Sequence, residues 1–90
     1  MRRAAKVDAN QAQIVSALEA AGATVQSLAA IGKGCPDILI AFRESMFLFE
    51  IKRDKAKTNE LQKKWHIAWN APVYVVREPD EALRIIGAIA

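Results

Sequence analysis

Ninety residues, of which 52% are hydrophobic, make one small domain (1–90) with enough apolar material for a core. No run of eighteen apolar residues is present, and no apolar segment follows the opening Met-Arg-Arg-Ala-Ala-Lys, so neither a membrane span nor a secretory leader is expected. The net charge of +3 points only weakly to nucleic acid, but Lys52, Arg53, Lys55, Lys57, Lys63 and Lys64 crowd into one short stretch opposed only by Asp54 and Glu60.

In chain order, residues 1–7 read as a mobile basic arm around Arg2, Arg3 and Lys6, able to touch a phosphate backbone or to stay uninvolved. Residues 9–21 form a helix, with Ile14, Val15, Leu18 and Ala21 at helical spacing and Gly22 ending it. Asp8 and Gln11 have the spacing of a capping box. Gln11 also continues the buried stripe, where a polar group needs a partner, either the cap or a metal-bound water. A strand over 23–28 leads into a loop, 29–35, whose Gly32, Lys33 and Gly34 suit a close backbone approach to a phosphate or a plain turn. The loop also holds Cys35, the single cysteine, which excludes an internal disulfide and fits a cytoplasmic setting.

Two apolar runs follow, 38–42 and 46–51, rich in β-branched and aromatic residues and split by Arg43-Glu44-Ser45, which predicts a β-hairpin. Both faces of these strands are apolar, so they belong in the middle of a sheet with layers on both sides. A basic loop over 53–57 leads to Thr58 as N-cap and a helix through about Trp69. Leu61, Trp65, Ala68 and Trp69 form its apolar stripe, read as core or dimer interface rather than as a platform for bases. Gln62 and His66 lie four apart and can face the same neighbour, although a lone histidine on a helix flank is more often incidental than a general base. Lys63 and Lys64 are a solvated face or phosphate contacts. A short strand over 73–77 and a helix opened by Pro79-Asp80, with Ala82, Leu83, Ile85, Ile86 and Ile89 inward, complete the order αβββαβα.

Three charges in the hairpin do not serve packing: Asp37 before its first strand, and Glu50 and Lys52 at the end of its second. Alternation puts Glu50 and Lys52 on one face. Antiparallel pairing brings residue 37 back beside residues 50–52, and an even number of connecting residues sets Asp37 on that same face. Two convergent carboxylates suit a hard divalent cation such as Mg²⁺, which takes one or two protein carboxylates plus waters and phosphate. Such a cation activates water and neutralises a phosphodiester, and a neighbouring lysine orients that water or offsets the oxyanion. The plainer reading is a surface ion pair between Glu50 and Lys52, which would contribute little.

Pro36-Asp37, then Glu50-Ile51-Lys52, then Gln62 with Trp65 after it resemble the PD-(D/E)XK nuclease superfamily, and within it the stand-alone VRR-Nuc domains of phages and bacteria. The resemblance extends from about Gln11 to Ile86. It implies a restriction-endonuclease-like α/β fold, a mixed sheet flanked by helices, and Mg²⁺- or Mn²⁺-dependent hydrolysis of branched DNA. By the same resemblance, four-way junctions would be the favoured substrate, cut by a homodimeric Holliday-junction resolvase. Asp37, Glu50 and the Ile51 backbone carbonyl would ligate the metal, Lys52 would serve the attacking water, and Gln62 would support the site. Gln11 stands where such nucleases usually carry a glutamate, which bears on the affinity for a second metal. Lys33, Arg53, Lys55, Lys57, Lys63 and Lys64 would contact DNA. The rivals are a non-catalytic DNA-binding module, a nuclease acting on flaps or other branches, and a structural or regulatory dimer.

Overall fold

A computed structural model of the chain describes residues 9–53 and 57–90. The basic arm, Asp8 of the expected capping box and Lys55 of the basic loop lie outside the described residues. The elements are α1 (Ala9–Ala20), β1 (Thr24–Ser27), β2 (Ile38–Phe42), β3 (Ser45–Ile51), α2 (Glu60–Ala68), β4 (Tyr74–Val76) and α3 (Pro79–Ile86). Together they form a mixed α/β arrangement with one four-stranded sheet in the order β1-β2-β3-β4. The first three strands are antiparallel, and β4 joins β3 in parallel. None of the described helices is long and apolar enough to cross a membrane.

The hairpin turns more tightly than its polar break suggests. Phe42 pairs with Ser45, so Ser45 is a strand residue and only Arg43 and Glu44 connect the strands. Both take left-handed backbone, φ 50° and 67°, as a two-residue turn matching the right-handed strand twist requires. The connection is even, and the register follows from it. Ile38, Ile40, Phe42, Phe47, Phe49 and Ile51 share one face, while Leu39, Ala41, Met46, Leu48 and Glu50 share the other.

The first face is the sealed one. Ile14 and Leu18 of α1 and Ala82 and Ile86 of α3 pack with Ile38, Ile40, Phe42, Phe49, Ile51 and Val76 in a single buried cluster. Helix α3 ends where Gly87 turns left-handed at φ 85°. Ile89, expected on its inward side, therefore lies beyond the helix and is exposed.

The second face is covered unevenly. Helix α2 has no buried residue, so its apolar stripe is not core. Trp65 and Trp69 stack on each other with centroids 4.6 Å apart. They line an open apolar groove of about 410 Å³ with Leu28, Ile31, Leu39, Met46 and Leu48. The expectation of a layer on both faces thus holds for a packed layer on one side and a lightly seated helix on the other.

Helix α2 begins one residue later than expected. Asn59, not Thr58, is the N-cap, and its Oδ1 accepts from the Gln62 N–H at 2.9 Å. Gln62 Oε1 in turn accepts from the Asn59 N–H at 2.9 Å, which completes a capping box.

Candidate functional site

The site lies at the end of β3 on the less covered face. Carrying the β2–β3 register one step past Ile38–Phe49 sets Asp37 beside Glu50, and the Asp37 N–H donates to the Phe49 carbonyl at 3.0 Å. The carbonyl of Asp37 accepts from the Leu28 N–H at 2.9 Å, so its backbone is held by strands on both sides. Its side chain crosses to β3, where Oδ2 accepts from the Ile51 N–H at 2.6 Å. Lys52 is pinned just as firmly. Its N–H donates to the Val76 carbonyl at 3.0 Å, and its carbonyl accepts from Asn10 Nδ2 at 3.0 Å.

Glu50 is the centre of the cluster, with 1% of its surface exposed. Its Oε2 accepts from Gln62 Nε2 at 2.8 Å and lies 3.8 Å from Lys52 Nζ. Its Oε1 is buried without a hydrogen-bond partner among the described residues and faces His66 Nε2 at 3.9 Å. The capping box fixes the Gln62 amide: its oxygen is held by the Asn59 N–H, which leaves the NH₂ end for Glu50. One side chain therefore starts α2 and ties it to the site.

Burial is the largest influence on Glu50, and the Asp37 charge adds to it; Lys52 offsets only part of the effect. The carboxyl is pushed up to about 8. Burial, with Lys52 as a second cause, lowers His66 below the usual imidazole range. The His66–Glu50 contact is accordingly not an ion pair at neutral pH: the imidazole is neutral, the carboxyl protonated, and 3.9 Å exceeds a hydrogen bond. Cys35 stands near enough that burial, then Glu50 and Asp37, raise its thiol. It is a rim residue of the site rather than only a loop filler.

The donors suit one hard cation. Two neighbouring carboxylates, one with a buried oxygen that has no hydrogen-bond partner among the described residues, are donors of the type that Mg²⁺ or Mn²⁺ takes together with water and phosphate. Among the described residues no group of three or more His, Cys, Asp or Glu side chains could hold a metal ion.

The expected residues Asp37, Glu50, Lys52 and Gln62 come together here; Ile51 joins them through its N–H, on Asp37 Oδ2, rather than through the carbonyl expected to ligate a metal. Gln11 is buried on α1, and no hydrogen bond among the described residues ties its amide to either carboxylate. Asn10 of α1 reaches the site, with Nδ2 on the Lys52 carbonyl and Oδ1 buried without a hydrogen-bond partner among the described residues. His66, discounted as incidental, faces Glu50. Its spacing from Gln62 was the available signal.

The glycine loop meets protein. A Cβ on Gly34 would collide with the Leu61 carbonyl, so the close approach there is to the first turn of α2, while Gly32 has open space around it. The basic residues Lys33, Arg53, Lys57, Lys63 and Lys64 are exposed. Lys63 lies 3.6 Å from Glu60 in an exposed pair of little energetic weight.

No protein-family model, curated protein or solved structure matches the chain.

Proposed function

We propose that the chain is a metal-dependent endonuclease that hydrolyses phosphodiester bonds of branched DNA, acting as a homodimer of the Holliday-junction-resolvase type. One observation carries the reading. Glu50 is buried beside Asp37 and Lys52, with one carboxylate oxygen left without a hydrogen-bond partner among the described residues. Burying a carboxylate next to another costs folding free energy, so packing gives no reason for the arrangement. A divalent cation gives one, because its charge replaces the proton that Glu50 otherwise holds.

In this reading Asp37 and Glu50 hold the Mg²⁺ or Mn²⁺ ion. When bound, that ion supplies an activated water and neutralises charge on the phosphodiester. Lys52, held at 3.8 Å from Glu50 Oε2, orients the attacking water or offsets the developing oxyanion. Gln62 fixes the rotamer of Glu50 through its 2.8 Å hydrogen bond. The exposed Arg53, Lys57, Lys63 and Lys64 contribute the salt-dependent attraction to the DNA backbone.

The deciding experiment is cleavage of labelled four-way junction, flap and duplex DNA with Mg²⁺, Mn²⁺ or EDTA. The expected outcome is metal-dependent cutting of branched DNA that is lost in Asp37→Ala and Lys52→Ala. DNA binding without cutting, unchanged in both variants, would replace the nuclease with a binding module.

A further inference from the structure

The i, i+4 pair on α2 addresses a single carboxylate. Gln62 Nε2 donates to Glu50 Oε2 at 2.8 Å, and one helical turn later His66 Nε2 faces Glu50 Oε1 at 3.9 Å. Oε1 and Nε2 are both buried, and neither has a hydrogen-bond partner among the described residues. Two such atoms facing one another are rare in a folded protein, where buried polar atoms are almost always paired. A shift of roughly 1 Å would bring them to hydrogen-bond distance. The stacking of Trp65 on Trp69 and the edge-on packing of the Trp65 ring against His66 limit where the imidazole can go.

We infer that His66 is a positioning residue of the cation site: with Gln62 it clamps the two oxygens of Glu50, each through one lone pair, and fixes the carboxylate so that the remaining lone pairs face the metal. The inference rests on the metal-dependent reading above. Groups bonded to a metal-ligating carboxylate orient it and tune its affinity, and losing one weakens binding by about 10–100-fold. His66 thereby acts through Glu50, without touching the scissile phosphate.

The test is Mn²⁺ binding to the full chain without DNA, by calorimetry and by electron paramagnetic resonance, in wild type, His66→Ala, His66→Gln and Asp37→Ala. The expected result is an affinity about tenfold or more weaker in His66→Ala. His66→Gln, with an N–H donor at similar reach, recovers most of it. Because His66 is the only histidine in the chain, its ring gives one isolated set of imidazole resonances. Mg²⁺ should shift that set in wild type and leave it unmoved in Glu50→Gln.

Equal Mn²⁺ affinity in wild type and His66→Ala overturns the inference while leaving the nuclease reading intact. Weakened binding in both His66 variants, matched by lower melting temperatures in EDTA, assigns His66 to packing and also overturns it. If wild type and Asp37→Ala alike fail to bind Mn²⁺, the metal-dependent reading fails and the clamp falls with it.

Discussion

Glu50 sets the pH response of the metal-free protein. Its folded-state pKa, about 8, lies above the ordinary value of 4.5, so between those limits the folded chain holds a proton that the unfolded chain has released. Stability then falls as pH rises through the window, because the unfolded state becomes the more deprotonated one. The contribution is fully present below about pH 4.5 and lost above about pH 8. Melting in EDTA should therefore show wild type losing stability relative to Glu50→Gln between pH 5 and pH 8.5, with Mg²⁺ or Mn²⁺ restoring it most at the alkaline end. A constant difference between the two proteins across that range would mean that Glu50 is not buried as described. The site's hairpin members were legible in the sequence, since strand alternation and an even turn are local rules that suffice to gather Asp37, Glu50 and Lys52. His66 was legible only as a residue facing the same neighbour as Gln62, and Asn10 was not legible. Which α1 residue reaches Lys52 depends on how that helix docks against the sheet end, and no spacing within α1 encodes that choice.

At the scale of elements, α2 is the piece whose seating the site depends on most and the core least. It buries no residue of its own; the Asn59–Gln62 capping box and the tryptophan stack order it internally, and the Gln62–Glu50 bond ties it to β3. Gly34 sets its depth, because the Leu61 carbonyl lies where a Cβ would go. Gly32 supplies the internal control: it also has positive φ, 68° against 85°, but nothing within reach of a Cβ. Alanine at either position should cost about 1–2 kcal/mol for left-handed backbone, measured by denaturant unfolding. Only Gly34→Ala should also push α2 outward, withdraw Gln62 and His66 from Glu50, and lower cleavage and Mn²⁺ affinity together. Equal activity in the two variants would show that α2 tolerates displacement and that its polar pair is dispensable. Sequence reasoning marked the glycines and left a phosphate neighbour or a plain turn open for them, since close approach is readable from glycine while the approaching group is not. It also put the cap at Thr58: Thr58 and Asn59 are both good caps, and the reciprocal bond from Gln62 favours Asn59.

For the whole molecule, the element order followed from periodicity and turn residues, whereas the unequal cover of the two sheet faces did not. Apolar side chains on both faces of β2 and β3 say that both could be covered, and only tertiary packing decides how well. Here α1 and α3 seal one face, and the other keeps Met46 68% and Trp69 46% exposed. Each chain carries one Asp37–Glu50–Lys52 set, and a four-way junction resolved into two duplexes needs two cuts on opposing strands. A two-fold pair of chains supplies two such sets in fixed relation, which a single chain cannot. Light scattering should accordingly give the mass of a dimer, alone or on a junction. Paired cuts should also respond to subunit mixing: protomers of wild type and Asp37→Ala, exchanged before junction is added, should yield nicks in one strand at the expense of full resolution. If the chain stays monomeric with junction bound and mixing merely dilutes the rate in proportion, each chain cuts alone. The activity would then be that of a nicking or flap nuclease, with the same carboxylates performing the chemistry.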